Sequence, residues 1–343
     1  MAKAVGTWQS RVSGPLEGID EMKFAEQTMS ESSASSSARA SSVLMGRQDY
    51  VSVMLRLIGM ELYKIRRRLM SKVLSIISIV SVIGLFSLIA LAAFLMTTNG
   101  VPAVDIARFS EALRLPQSLD LVVQLLLSLG QILIIILVST IVGGEYSDKT
   151  VRLMLTRGPT RTQYLLAKAG AALACIVIGV IGITGIGILT GLLLNLTTGI
   201  APNFAFFDAS WLGHMLLLLL ITMFGLLVYA MMALFLSTLG RTTAAGMAGV
   251  LTWSFLIEPV IGVIGLFGRN IGGPLGGFFQ ALPDYMIGSN INVLVQNQSQ
   301  YLSSVGAQVS QQSDIHALLV LTAYLVVFMG LSWWVNLRRD VII

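Results

Sequence analysis

The sequence predicts an all-α polytopic membrane protein with six transmembrane helices, and three observations predict it. Of 343 residues, 55% are hydrophobic and 11% charged, where a soluble domain carries about a quarter charged. Six apolar runs are each long enough to cross a hydrocarbon core of about 30 Å at 1.5 Å per helical residue. Lys and Arg are unevenly shared between alternate connections, 19 against 3. The positive-inside rule turns that asymmetry into an orientation with both termini cytosolic, as in a multi-pass protein of the cell membrane. The basic balance needs no nucleic acid to explain it, because a basic inner face is what membrane insertion produces.

Residues 1–48 are polar and low in complexity, with SESSASSSARASS at 30–42. They predict a disordered cytosolic tail ahead of a six-span domain over 49–343. Residues 51–71 then predict an amphipathic helix. Val51, Met54, Leu55, Ile58, Leu62, Ile65 and Leu69 recur at steps of three and four, with Arg56, Lys64 and Arg67 opposite. Arg66, Arg67 and Arg68 crowd its end. Such a helix is expected in the headgroup layer, with Lys64, Arg66, Arg67 and Arg68 anchored on membrane lipids of negative charge.

The spans follow at Val73–Met96, Leu121–Val142, Leu166–Leu196, Leu212–Leu236, Thr243–Phe267 and Ala317–Val335. The third is longest, so it should tilt or extend beyond the bilayer. Between the fourth and fifth, Ser237–Thr242 can only turn the chain, though it is also short and placed to touch a cytosolic partner. The loop over 268–314 on the outer side opens Gly-rich, passes through the apolar FFQALPDYMIG and ends in Gln and Ser. Within it, Phe278–Val295 either dips back into the outer leaflet, shielded by protein, or forms a loop with a hydrophobic foot.

The most distinctive stretch is Gly143–Lys168, a polar, net-positive island between spans two and three. Within it, residues 145–157 predict a short helix, with Tyr146, Val151, Met154 and Leu155 on one face and Asp148, Lys149 and Arg152 elsewhere. Gly158-Pro159 should stop it. Thr160-Arg161-Thr162-Gln163 fits a capping box that starts the next helix. An ordinary basic loop held by anionic lipid is the simpler reading; the tight stop and restart favours a rigid docking surface.

Polar residues also stand at span depth. Gln124, Ser128 and Gln131 are spaced to share a face of span two, and Ser254 and Glu258 a face of span five. A carboxylate within a span is expensive and is a functional candidate by default. These residues either line a transport path or tie neighbouring helices, with Glu258 bonded to the outer loop. Gly187 and Gly191, and Ala245 and Gly249, have the spacing of close helix contacts.

No phosphate-binding loop is present. Lys149-Thr150 follows Asp148, which has neither the freedom of Gly nor a charge that suits phosphate. HExxH and GxSxG are absent. Cys175 is the single cysteine and lies in an apolar run, and the two histidines, His214 and His316, are far apart. No metal site and no enzyme activity of the chain's own are expected.

Several of these residues carry a resemblance. Gly144, Glu145, Thr150, Leu153, Leu155, Pro159, Arg161, Ala167 and Lys168 are similar in order and spacing to the permease family of type-two ATP-binding-cassette exporters. So are MELYKIRRRLMSKVL before span one and LFLSTLGRTTAAGMAGVL between spans four and five. Lys149 stands where family members often have Gly. The likeness covers roughly residues 50–343. It implies an elbow helix over 51–71 and a coupling helix over 145–157. Glu145, Tyr146, Thr150, Arg152, Leu153, Leu155, Pro159 and Arg161 would then couple to an ATP-binding-cassette ATPase subunit. It further implies a second permease copy or homologue, with spans two and five at the subunit interface. The chain would bind no cofactor, with ATP and Mg held by the ATPase. Two other classes remain: a membrane scaffold that recruits a soluble partner, and a membrane enzyme acting on lipid.

Overall fold

The computed structural model describes residues 50–102, 115–148, 160–197, 207–302 and 312–338. The chain divides into two compact units, 1–56 and 57–343. In the first, residues 50–56 are helical; the expected tail over 1–48 lies outside the described residues. The second unit holds everything below. All its regular elements among the described residues are helical.

Its first helix, α1, covers 57–67. The expected helix over 51–71 is interrupted at Arg68, whose backbone is extended (φ −71°, ψ 135°). Residues 69–71 therefore belong to the next helix, and Leu69, expected on the apolar face of the first, is instead exposed. Among the described residues, six helices are long and apolar enough to cross a membrane: α2 (Leu69–Thr98), α3 (Gln117–Ser147), α4 (Arg161–Thr197), α5 (Ala209–Gly240), α6 (Thr243–Gly268) and α9 (Asp314–Arg338). Between α6 and α9 lie α7 (Gly273–Ala281), a 3₁₀ turn at Leu282–Tyr285, and α8 (Ile287–Ser299).

The expected spans all fall on these helices, and local capping chemistry sets the starts of α4, α5 and α6. Asp208 accepts from the Trp211 amide at 2.7 Å at the start of α5. Thr242 accepts from the Ala245 amide at 3.2 Å at the start of α6. At the start of α4 the expected capping box forms in both directions. The Gln163 amide donates to Thr160 Oγ1 at 3.2 Å, and the Thr160 amide to Gln163 Oε1 at 2.9 Å. With 37 residues α4 is the longest element. At about 55 Å it exceeds the hydrocarbon thickness, as its apolar length predicts.

Helix α5 is the hub. Over its most apolar stretch 56% of residues are buried, against 11% for α2 and α6, and it packs on α3, α4, α6, α8 and α9. The small residues find their uses within the chain. Gly187 of α4 sits against Val122 of α3, and Gly249 of α6 against Leu236 of α5. The turn between α5 and α6 meets the end of α3 so closely that a Cβ on Gly143 would lie 2.4 Å from the Thr243 amide nitrogen. The segment Phe278–Val295 forms the end of α7, the 3₁₀ turn and most of α8. Ile287, Ile291 and Leu294 are buried, in a helix that packs against α5 and α9.

Two helices carry a wide π turn, where an amide bonds the carbonyl five residues back. In α3 it covers Leu126–Gly130, and the Gln131 amide reaches Leu126 O. In α6 it covers Trp253–Ile257, and the Glu258 amide reaches Trp253 O. The second has a clear cause: Pro259 has no N–H, so the Phe255 carbonyl loses its usual donor and the turn loosens. In α3 the Ser128 hydroxyl bonds back to Gln124 O at 2.8 Å, a contact that bends helices.

Candidate functional site

Two polar constellations stand out, and the first is a buried ring of charge. Glu61 and Lys64 come from α1, Glu145 from the end of α3, and Lys168 from the second turn of α4. Lys64 Nζ lies 2.5 Å from Glu61 and 3.0 Å from Glu145. Lys168 Nζ lies 2.9 Å from Glu145 and 3.6 Å from Glu61. Two acids and two bases thus alternate around a closed circuit. The Tyr164 hydroxyl donates to Glu145 at 2.7 Å, and Lys168 also donates to Ile141 O at 3.1 Å. The Lys168 side chain is only 1% exposed. A buried cation of this kind is tolerated only when paired and hydrogen-bonded, as it is here. Arg68 adds a tie from its guanidinium to Thr140 O at 3.1 Å.

The ring changes the reading of several residues. Lys64 and Arg68, expected to face headgroups, turn into the protein; Arg66 and Arg67 are exposed, and Arg67 stacks over the Tyr63 ring. Glu145 and Tyr146 do not open a separate surface helix. They continue α3, which ends at Ser147 with Asp148 as its cap. Glu145 is buried and Tyr146 packs on the core. The rest of the expected 145–157 helix, with Thr150, Arg152, Leu153 and Leu155, lies outside the described residues, as does Pro159. Arg161 ties α4 to the end of α9: it donates to Leu337 O at 3.2 Å, and Asn336 donates to Arg161 O at 2.9 Å.

The second constellation lies between the two π turns. Glu258 accepts from Trp253 Nε1 at 2.8 Å, from the Gly288 amide at 3.0 Å and from the Tyr229 hydroxyl at 3.2 Å. Gln131 of α3 lines the same site. Hydrogen bonds to one carboxylate thus link α5, α6 and α8. A Cβ on Gly288 would lie 2.4 Å from the Glu258 carboxylate, so only Gly allows this approach. Beside the carboxylate is a cavity of about 200 Å³, lined among others by Ser128, Gln131, Tyr229, Ser254, Glu258 and Asn292.

Four of the five polar residues singled out within the spans line this one cavity. Gln124 does not. The π turn between it and Gln131 adds a residue to the helix and breaks the shared face that regular spacing implied. Glu258 bonds Gly288 in the segment between α6 and α9, and both Gln131 and Glu258 border the cavity. The histidines go elsewhere: His214 meets Gln298 and stacks on Tyr301, and His316 meets Asp284 O.

Sequence reasoning missed Glu61, Tyr164, Tyr229, Trp253 and Gly288 as site residues, and it placed Lys168 only by resemblance. Glu61 carried a signal: it lies on the apolar side of its helix, next to Leu62 and Ile65. Lys168 carried one too, as a charge inside an apolar run. Tyr229 and Gly288 carried none.

Six helices long and apolar enough to cross a membrane, with polar residues gathered between them, define a multi-pass α-helical membrane protein. The chain belongs to the family DUF2705, described as a protein of unknown function, which matches residues 88–342. No curated protein matches it.

Proposed function

We propose that this chain is the permease subunit of an ATP-binding-cassette transporter of the cell membrane, with export as the direction. A separate subunit hydrolyses ATP with Mg, and a second copy or homologue completes the membrane part. The reading combines the resemblance of residues 50–343 with one structural observation. The charge ring clamps α1 to both sides of the segment 149–159: Glu145 precedes that segment and Lys168 follows it. A push received there would pass into α3, α4 and α1 together rather than dissipate in a loose loop. Both termini and the ring are cytosolic in this reading, on the strength of the Lys and Arg distribution. Helix α1 and its exposed Arg66 and Arg67 then lie against anionic headgroups. The conformational change is mechanical, shifting a two-state membrane element as the ATPase closes.

The test is reconstitution in vesicles with an ATP-binding-cassette ATPase subunit. Arg152→Glu should abolish stimulation of ATP hydrolysis while the permease stays folded and inserted. Unchanged stimulation, or no association with any such ATPase, would refute the proposal. Lipid turnover by the isolated chain without ATP would favour an enzyme instead.

A further inference from the structure

Glu258 differs from every acid in the charge ring. Its three partners, Trp253, Gly288 and Tyr229, are all neutral donors. They satisfy its lone pairs and offset part of its desolvation, but they leave its charge in place. Among the described residues, none that lines the adjoining cavity is Lys, Arg or His. A carboxylate at the edge of a cavity between apolar helices, with no counter-charge in the lining, is an electrostatic vacancy.

The remainder of the lining is shaped for the missing charge. Ser128 sends its hydroxyl proton to Gln124 O at 2.8 Å, so its oxygen lone pairs stay available. Gln131, Ser254 and Asn292 add amide and hydroxyl oxygens. The π turn ahead of Pro259 leaves a backbone carbonyl without its usual donor, the kind of irregularity often found at functional sites. Among the described residues no three His, Cys, Asp or Glu come together to hold a metal ion. A single carboxylate among neutral oxygens matches one positive charge rather than two.

We infer that this cavity binds a small monovalent cationic group, with Glu258 as its counter-charge and Ser128, Gln131, Ser254 and Asn292 as its oxygen lining. An alkali ion and the ammonium or guanidinium end of an organic molecule share that chemistry. The inference rests on the permease reading only for calling the group a cargo; the binding itself needs no partner and no nucleotide.

Trp253 supplies the readout, because its indole N–H bonds the same carboxylate. The full-length chain in detergent is titrated at constant ionic strength with sodium, potassium, methylammonium and guanidinium chlorides, each in turn. Tryptophan emission and melting temperature are followed together. A saturable emission change with a rise in melting temperature is expected for at least one cation, and the one that acts identifies the source. Glu258→Gln should raise the half-saturating concentration at least tenfold. Trp253→Phe should remove the emission change but keep a thermal shift. Should Glu258→Gln fold poorly, Ser128→Leu fills the cavity without touching the carboxylate and should weaken binding to a similar extent. No saturable response to any of the four cations overturns the inference, as does a response of unchanged strength in Glu258→Gln and Ser128→Leu. Neither result bears on the ATPase test, so failure of one proposal is separable from failure of the other.

Discussion

The charge ring and the Glu258 cavity solve the same problem in opposite ways. Both take carboxylates away from water among packed helices. In the ring, Glu61 and Glu145 face Lys64 and Lys168 across 2.5–3.6 Å, and the charges cancel within the protein. At the cavity, the partners of Glu258 among the described residues are an indole, an amide and a phenol. The first arrangement is closed, and any change leaves a stranded charge. The second is open, because its hydrogen bonds are complete while its charge is not. The difference separates a fixed joint from a place where something else can bind.

That contrast can be broken by substitution. Lys168→Met should do the most damage, because it leaves two buried carboxylates sharing one remaining lysine. Breaking a buried pair by removing one partner costs about 3–5 kcal/mol, read as a large drop in melting temperature in detergent. Lys64→Met also leaves two buried carboxylates to one lysine, but the Lys64 side chain is 29% exposed, so water takes over part of its role and the loss should be smaller. If Lys64→Met melts as low as Lys168→Met, burial of the cation is not what sets the strength of the joint.

Gly288→Ala comes next. Its new methyl must displace the Glu258 carboxylate, an overpacking that costs about 1–3 kcal/mol, and it should weaken cation binding as well. Glu258→Gln should be milder, at about 1 kcal/mol, since an amide oxygen still accepts from Trp253 and Gly288. A melting loss in Glu258→Gln as great as that in Lys168→Met would erase the distinction between joint and open site. The smallest effect expected is a gain. Arg241 caps α5 in the left-handed region at φ 54°, so Arg241→Gly should raise stability by up to about 1 kcal/mol and leave both sites unchanged.

How much of this the sequence discloses depends on the range of the interaction. The six long helices are legible because length and apolarity are properties of a continuous run. The start of α4 is legible because Thr160 and Gln163 are three residues apart. The cavity is half legible. A serine, a glutamine and an acid inside apolar runs announce themselves, and Ser128, Gln131, Ser254 and Glu258 do meet. Their partners do not announce themselves, because Tyr229 and Gly288 are ordinary residues until folding brings them 29 and 30 positions to Glu258. The ring is less legible still. Glu61 and Lys168 stand out as charges in apolar surroundings, but nothing in the sequence brings them together, and only the packing of α1 against the ends of α3 and α4 makes them an interior pair. Gln124 shows the other limit: a periodicity argument assumes uniform turns, and a single wide turn defeats it.

Those wide turns have one more consequence. Each stores an extra residue in an otherwise regular rod, so deleting one residue there, such as Leu127, would let the rod wind evenly again. Because the wide turn already absorbs that residue, the two halves of α3 would keep their phase, and Gln131 and Glu145 would stay on their present faces. The same deletion in the regular stretch Gln131–Ser147, at Leu137 for instance, would instead swing Glu145 by about 100° and out of reach of both lysines. The loosened turn is thus the one level of this rod at which the chain can lose a link without its lower end changing face.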